Sequence, residues 1–254
     1  MNPHYRPYVC GQAAILALTI HAHGATVTLG LAEGFGALAA STVTNTGPTA
    51  INGKVGVSTG TAITGFPPGT ATAFHPNDSV AATAKADAAA AYGQLAALTN
   101  PVVLTGSNLG GMVLTPGVYF FSSIADITGV LTLNGNNQVD PSFVFQIGTS
   151  LTTASLNSSI ITIGGADPSQ VYFRVGSSAT IGTGSSMIGT IIAGESVSLA
   201  NGASLRGRAI ALNGAVTLDS NLIIIPEPTS SILLISGMAC LLTRRNRQGS
   251  HKAD

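Results

Sequence analysis

Apolar and polar residues alternate in short segments through the middle of the chain, from about residue 25 to residue 225. FVFQIG at 143–148 and VYFRVG at 171–176 are two such segments, and Gly, Asn or Ser separates each from the next. Alternation with a period of two is typical of β-strands that bury one face. The middle of the chain is therefore predicted to consist of many short strands.

These segments recur at nearly regular spacing. SATI, SVSL and AVTL begin at residues 178, 196 and 215, whereas FVFQIG and VYFRVG lie 28 residues apart, with an insertion around GGADPSQ. Three short strands per repeat cannot form one flat sheet without long connections, but they can form one coil with Gly and Asn at its corners. The predicted fold class is mainly β, a right-handed parallel β-solenoid: a triangular β-helix with three faces.

The alternation also predicts a core. One side chain in two points inward along a strand, so the larger apolar residues of each segment are expected to fill the centre of the coil. The residues predicted to point inward are Phe143, Phe145, Ile147, Val171, Phe173, Val175, Ile191, Ile210 and Leu212.

An alanine-rich segment interrupts the strands between residues 77 and 101. Asn77 or Asp78 suits the N-cap of a helix, and Pro101 follows its end. One long helix is therefore predicted over about 78–98, and its small side chains allow it to pack alongside the solenoid. The residues expected on its packed side are Val80, Ala84, Ala91, Leu95 and Leu98.

The first residues have the features of an export signal. Arg6 precedes a short apolar run at 13–20, and small residues suited to cleavage extend to Gly24. A signal peptide is predicted over 1–24, and a buried N-terminal strand is the alternative. The cysteines, Cys10 and Cys240, both lie outside the predicted mature domain at 25–225, so packing and hydrogen bonds alone must stabilise that domain.

The last residues, 226–254, form a tail with three parts. Pro226-Glu227-Pro228 comes first, a short apolar membrane segment is predicted over 229–243, and arginines follow at 244, 245 and 247. This order resembles the PEP-CTERM sorting signal of Gram-negative bacteria. The resemblance implies an exported protein, secreted or at the cell surface or extracellular matrix. The tail would hold it at the inner membrane transiently, until an exosortase-type sorting enzyme cuts it. A plain C-terminal anchor is the alternative.

Charge is scarce. Charged residues make up 8% of the chain and the formal net charge is zero, against roughly 25% charged residues in a typical soluble protein. No basic patch is present to bind nucleic acid, which is excluded as a partner. Soluble proteins normally place charges on exposed strands to prevent association. Their absence along a regular array of strands indicates a surface that is built for contact.

A four-residue pattern of Thr, Gly and Ser or Asn recurs at a predicted corner between two faces. Its candidate contact residues are Thr46, Thr49, Thr105, Asn108, Thr128, Ser155, Ser158, Thr183, Ser186, Asn201 and Ser204. A second column of small outward residues is predicted on the preceding strand, and its members are Thr152, Thr180, Ser198 and Thr217. The plainer interpretation is that Thr suits strands and Gly suits corners in any solenoid.

Stacked strands would repeat these residues every 4.8 Å or so, with alternate residues of one strand about 6.7 Å apart. Thr is stiff at χ1, so such an array of hydroxyls and methyls is ordered before it binds. Methyls can cage ordered water and hydroxyls can join its hydrogen-bond network, so ordered water is the expected partner.

Several longer motifs carry a family resemblance. STVTNTGPTAINGKVGVSTGTAITGFPPGT, LTPGVYFF, FVFQIGTSLTTAS, VYFRVGSSATIGTG and RAIALNGAVTLDSN, together with the alanine-rich helix, look like the ice-binding protein family of bacteria, diatoms and fungi. The resemblance runs from about residue 25 to residue 221. It implies a discontinuous triangular β-helix with a flanking α-helix, and a flat face with Thr-Ala/Gly-x-Thr/Asn repeats that adsorbs to ice.

Catalysis is the main competing class, because β-helices also carry polysaccharide lyases and hydrolases. The carboxylates of the predicted domain are scattered through it, His75 is its one histidine, and it has no cysteine, so neither a zinc site nor a nucleophile–base pair is predicted. His75 is expected in the loop before the helix. Arg206 and Arg208 are close enough in sequence to bind an anionic polysaccharide together. Two arginines on one strand are more often simply solvated at the edge of a sheet.

The sequence therefore predicts an exported ice-binding protein, with antifreeze activity, thermal hysteresis and inhibition of ice recrystallisation. It is predicted not to be an enzyme and to need no cofactor or metal. The alternative is a structural or adhesive protein of the cell surface or biofilm matrix. The expected partners are the ice crystal surface, exopolysaccharide in the alternative case, and the sorting enzyme at the tail.

Overall fold

The structure, a computed structural model, describes residues 27–154, 156 and 158–226. The predicted signal peptide and the predicted membrane segment at 229–243 lie outside these residues. In the part that is described, no helix is long and apolar enough to cross a membrane.

The described strands pair in parallel and form three stacks, because each full coil contributes one strand to each stack. In spatial order, stack A contains Ala73–Pro76, Lys54–Val57, Phe35–Ala39, the second halves of Ser204–Ala211 and Ser186–Ala193, Val171–Val175, Phe143–Ile147, Gly117–Phe121 and Val102–Val103. Stack B contains Ala62–Thr64, Thr42–Thr46, Val216–Asp219, Val197–Leu199, Ala179–Ile181, Leu151–Thr153 and Ala125–Ile127. Stack C contains Ala50–Asn52, Leu222–Ile224, the first halves of Ser204–Ala211 and Ser186–Ala193, Ser159–Ile163, Val130–Asn134 and Val113–Leu114. The fold is thus mainly β with parallel sheets.

The spatial order of the coils differs from their order in the chain. Phe35–Ala39 pairs with the end of Ser204–Ala211, and Thr42–Thr46 pairs with Val216–Asp219. The first coil of the chain therefore packs on the coil that is completed last. From Pro76 the helix leads the chain along stack A toward the opposite end, where the strands resume at Val102.

The helix spans Ser79–Ala96. The Asp78 carboxylate accepts a 2.8 Å hydrogen bond from the Ala81 N–H and so caps its first turn. At the other end, buried Gln146 donates from its side-chain amide to the carbonyls of Leu95 and Leu98, at 2.8 and 3.0 Å. These carbonyls have no partner within the helix, so Gln146 fixes the helix end to stack A. The buried side of the helix consists of Ala81, Ala84, Ala88, Ala91 and Leu95.

The interior of the coils is filled by stacked apolar side chains. The rings of Tyr119, Phe145 and Phe173 follow one another in three successive coils, with centroids 5.4 and 4.6 Å apart. Seven of the nine residues predicted to point inward belong to this inner core: Phe143, Phe145, Ile147, Val171, Phe173, Val175 and Ile191.

The prediction was wrong for the other two, Ile210 and Leu212. Ile210 is paired with Ile192, and both point outward into a second cluster beneath the helix, which Leu212 joins, while Ala209 faces the inner core. The helix buries the outer side of stack A, so its strands are apolar on both sides. A run of apolar residues then gives no sign of which side chain faces inward.

Candidate functional site

The outer face of stack B carries a straight column of hydroxyl side chains. The residues of this central column are paired directly from strand to strand, in the order Asp126, Thr152, Thr180, Ser198, Thr217, Thr44 and Thr64. All are exposed or half-buried, and all but Asp126 are Thr or Ser. The structure therefore unites the four residues of the predicted second column and adds Thr44 and Thr64, which belong to the displaced N-terminal coils.

Apart from Ile124, which is 49% exposed, the residues that flank the central column on both sides are short. The column nearer stack A contains Ile124, Ser150, Ser178, Ser196, Ala215, Thr42 and Ala62. The column nearer stack C contains Thr128, Ala154, Gly182, Ala200, Asp219 and Thr46. Asp126 and Asp219 are the charged residues of these three columns. The outer face of stack B is thus an almost uncharged surface of short side chains.

The corner beside this face leaves little room for larger side chains and is internally hydrogen-bonded. A Cβ on Gly182 would lie 2.7 Å from the Thr153 carbonyl oxygen, so no other residue fits there without a shift. Beneath the surface, the Thr153 hydroxyl accepts from the Gly182 N–H at 2.8 Å and donates to the Ser185 hydroxyl at 3.0 Å. Ser185 donates in turn to the Ala154 carbonyl at 2.9 Å. This buried network holds the corner in one conformation.

The dimensions of the face follow from strand geometry. Seven strands about 4.8 Å apart give a column roughly 29 Å long, and three columns at about 6.7 Å give a width of roughly 13 Å. Because threonine has a strongly restricted χ1, the methyl and hydroxyl positions are set by the backbone. The surface is therefore ordered before any partner arrives.

The residues of the predicted corner pattern do not form one column. Thr46 and Thr128 lie exposed at the edge of stack B, Thr183 and Asn201 lie exposed on the corner, and Ser186 and Ser204 are paired first residues of stack C strands. Ser155 lies outside the described residues.

The corner between stacks B and C varies in length from coil to coil. It contains two residues after Ile127 but five after Thr153, so residues at equivalent sequence positions do not align in space.

Two further residues of that pattern are buried. Thr49 is 1% exposed and Ser158 is 2% exposed, so neither reaches a partner at the surface. The Thr49 hydroxyl accepts a 3.0 Å hydrogen bond from the Asn221 N–H and joins the first coil to the last. The side-chain amide of Asn221 also donates to the carbonyls of Ala200 and Ala203, at 2.9 and 3.0 Å.

Thr105 lies at a different corner from the one predicted, between stacks A and B, whereas Asn108 forms a parallel bridge with Asp126 at the end of the central column of stack B. The Thr105 hydroxyl accepts from the Ser122 N–H at 2.9 Å. The Asn108 side chain accepts from the Thr128 N–H at 2.9 Å and donates to the Thr128 carbonyl at 3.3 Å. Asn108 therefore completes the backbone hydrogen bonding at this end of stack B, as a further strand would.

The two arginines considered for polysaccharide binding lie in different environments. Arg208 is buried and donates to the Glu33 carbonyl at 2.9 Å, so the expectation of a solvated edge was wrong for it. Arg206 is exposed on stack C, because the strand turns from stack C into stack A at Gly207.

His75 lies in a strand rather than in the expected loop, and its Nδ1 is 2.7 Å from an Asp78 oxygen. Among the described residues, no three His, Cys, Asp or Glu side chains are placed to hold a metal ion.

The chain is similar to known proteins in sequence and in fold. The model of the Ice-binding-like family matches residues 37–224. An ice-binding protein of Nostoc sp. (strain HG1) is 48% identical over 239 residues, 87% of this chain and 88% of that protein. The structure of an ice binding protein from an Antarctic biological consortium superposes with a TM-score of 0.79 at 42% identity, covering 82% of this chain and 94% of that one.

A second solved structure is similar over nearly its whole length. An ice-binding protein from the Antarctic ascomycete Antarctomyces psychrotrophicus superposes with a TM-score of 0.77 at 42% identity. The match covers 99% of that chain and 80% of this one. From residue 37 to residue 224, in sequence and in fold, the chain belongs to the Ice-binding-like family.

Proposed function

We propose that this chain binds ice and acts as an antifreeze protein through the outer face of stack B. The observation that carries the proposal is the registered central column, in which Thr or Ser recurs on six neighbouring strands from Thr152 to Thr64. Relatives and structural neighbours named as ice-binding proteins support the assignment.

The chemistry of the face suits ordered water. Methyl groups favour caged water around them and hydroxyls can replace water molecules in a hydrogen-bonded network. Because stiff side chains and a rigid backbone present both groups, little conformational entropy is lost on adsorption. Adsorbed molecules would pin the crystal surface, lowering the freezing temperature and slowing recrystallisation.

Stack B suits this role better than the other two stacks. The helix covers the outer side of stack A, with Ala84, Ala88 and Ala91 buried against it. Stack C is open but carries larger side chains, among them Ile161, Ile188 and the guanidinium of Arg206. Of the two open faces, only stack B combines short side chains with repeated hydroxyls.

Two finer features belong to the proposal. The three stacks would enclose a triangular, right-handed solenoid, the hand that nearly all crossovers between parallel strands adopt. The first 24 residues would direct export, and the tail at 226–254 would act as a PEP-CTERM-like signal that an exosortase-type enzyme recognises.

A structural or adhesive function in an extracellular matrix is the second candidate. The tail favours it, since the order of Pro-Glu-Pro, apolar segment and arginines resembles a signal found on matrix proteins. Hydroxyl-rich faces also hydrogen-bond to sugars. Pull-down of the protein on growing ice and on purified exopolysaccharide separates the two functions, since the proposal predicts enrichment on ice.

The direct test of the proposed face is Thr180→Tyr, which places a bulky ring in the middle of the central column. Thr83→Tyr is the matched control, because Thr83 is exposed on the helix. We expect the first variant to lose most of its thermal hysteresis and the second to keep it. Equal activity of the two variants would reject the assignment of stack B.

A further inference from the structure

Stack C presents an exposed apolar strip that ice adsorption through stack B does not use. Its residues follow one another across the paired strands, in the order Val113, Thr132, Ile161, Ile188, Arg206 and Ile224. Val130, Ile163 and Leu222 lie beside this column. Six of the thirteen exposed large hydrophobic residues described belong to stack C, each 40% to 62% exposed: Val113, Val130, Ile161, Ile163, Leu222 and Ile224.

The strip is large for a solvent-facing surface. Six strands about 4.8 Å apart extend it over roughly 24 Å. A shallow groove of about 220 Å³ runs beside it, lined by residues that include Ile188, Ser204, Arg206 and Ile224. Thr132 and Arg206 interrupt the apolar residues of the strip, but a cluster of exposed apolar side chains of this length still marks a site of association with a protein or a membrane.

The charge on the strip favours a negatively charged partner. Arg206 is exposed there, and none of the strand residues of stack C is Asp or Glu. In a two-fold dimer formed through the strip, each Arg206 would face the stack C of the other copy, whose strands offer no carboxylate to pair with it. An anionic lipid surface neutralises the guanidinium and accepts the isoleucines at the same time.

The position of the tail supports the same partner. The last described strand of stack C ends at Ile224, two residues before Pro226. The proposed membrane segment begins at residue 229, and three residues span at most about 10 Å. With the proposed segment in a bilayer, this edge of the body would lie at the membrane surface. Of the two stacks that meet at this edge, stack C is the apolar and uncovered one.

We propose that stack C is a lipid-binding surface that docks the body on an anionic bilayer, with isoleucine side chains in the headgroup region and Arg206 on lipid phosphates. Stack B then remains free of the membrane and available to ice. The cellular setting rests on the proposed export and tail anchoring, but the binding itself resides in the body.

The test uses residues 25–226, which contain the whole family match at 37–224 and the part of the chain that resembles the solved ascomycete protein. The probes are vesicles of phosphatidylglycerol mixed equally with phosphatidylcholine, and vesicles of phosphatidylcholine alone, with binding measured by flotation. We expect preferential binding to the anionic vesicles. Arg206→Gln should lower the partition coefficient about fivefold, as expected for one basic residue at an anionic surface. The double variant Ile161→Asn/Ile188→Asn should lower it further.

The double variant Val103→Asn/Val139→Asn is the matched control, because it removes exposed valines outside stack C. Its partition coefficient should equal that of the unmodified body, and far-ultraviolet circular dichroism confirms that each variant is folded. No binding to either vesicle, or binding that the stack C variants leave unchanged, overturns the proposal. Sedimentation of the unmodified body as a dimer that Ile161→Asn/Ile188→Asn dissociates overturns it in favour of a second copy.

Ice adsorption is measured on the same samples, which keeps the two proposals separate. The stack C variants are expected to retain it. Vesicle binding without ice adsorption would refute the proposed ice-binding function but not the lipid-binding surface. Ice adsorption without vesicle binding would refute the lipid-binding surface but not the ice-binding function.

Discussion

The backbone N–H of Asn221 donates a 3.0 Å hydrogen bond to the hydroxyl of Thr49, across 172 residues of sequence. Thr49 belongs to the first coil of the chain and Asn221 to the last, and both are almost fully buried. Strands on either side of this bond also pair the two coils, in stacks B and C. The bond therefore lies at the seam where the first and last described strands of stacks B and C meet.

Thr49→Val removes the acceptor while preserving the shape of the side chain. A buried donor left without a partner costs about 1–3 kcal/mol, so we expect the free energy of unfolding to fall by that amount. Thr46→Val is the control, because Thr46 is exposed, and its effect should stay within about 0.5 kcal/mol. Urea denaturation measures both, and equal stability of the two variants would show that the seam does not depend on this bond.

Substitutions in the central column should affect ice more than substitutions on the corner. Thr180 lies within the flat part of stack B, whereas Thr183 lies on the corner toward stack C. We expect Thr180→Tyr to abolish most thermal hysteresis and Thr183→Tyr to reduce it less. A nanolitre osmometer gives the comparison at matched concentrations. A larger loss in Thr183→Tyr would move the ice-contact surface to the corner.

Asp126 interrupts the central column at one end with a charge. Carboxylates order water around themselves differently from a lattice of hydroxyls and methyls, so Asp126→Thr should raise thermal hysteresis at a given concentration. Glu195→Thr removes a carboxylate exposed near the corner between stacks A and B and should leave activity unchanged. Asp126→Thr with activity equal to or below that of the parent chain would contradict the central column as the contact surface.

The helix cap predicts a dependence of stability on acid. Hydrogen bonds from the Ala81 N–H and from His75 lower the pKa of the Asp78 carboxyl below its ordinary value. Because the folded pKa is lowered, the carboxylate stabilises the fold above the unfolded pKa of about 3.9, and this contribution is lost as pH falls through the folded pKa. Asp78→Asn keeps a good cap but does not titrate.

Thermal midpoints of the parent chain and Asp78→Asn, measured against pH, check this expectation. The parent chain should be more stable near neutrality, and the gap should close below the ordinary pKa of aspartate. A gap that persists unchanged in strong acid would show that the Asp78 charge contributes nothing.

The sequence alone was sufficient for the elements whose signals are local. The helix at Ser79–Ala96 has an N-cap, a proline beyond its end and a long alanine-rich run. The alignment of FVFQIG with VYFRVG is also found in the structure, where Phe143 pairs with Val171. In each case the signal lies in the segments themselves and needs no information from the rest of the chain.

What the sequence did not reveal depends on contacts between distant segments. Nothing near Thr44 shows that its strand pairs with Val216–Asp219, so its place in the central column was missed. Corners of unequal length displaced Thr183 and Thr49 from the expected corner column. The burial of Arg208 depends on Glu33, a residue 175 positions away.

The most direct test of the central claim is ice-affinity partition of the fluorescently labelled body, with one open face altered at a time. Thr180→Tyr/Thr217→Tyr changes stack B, and Ile161→Asn/Ile188→Asn changes stack C. If ice contacts stack B, the first variant stays in the liquid while the second freezes into the ice with the parent protein. Incorporation of the stack B variant together with exclusion of the stack C variant would contradict the proposal.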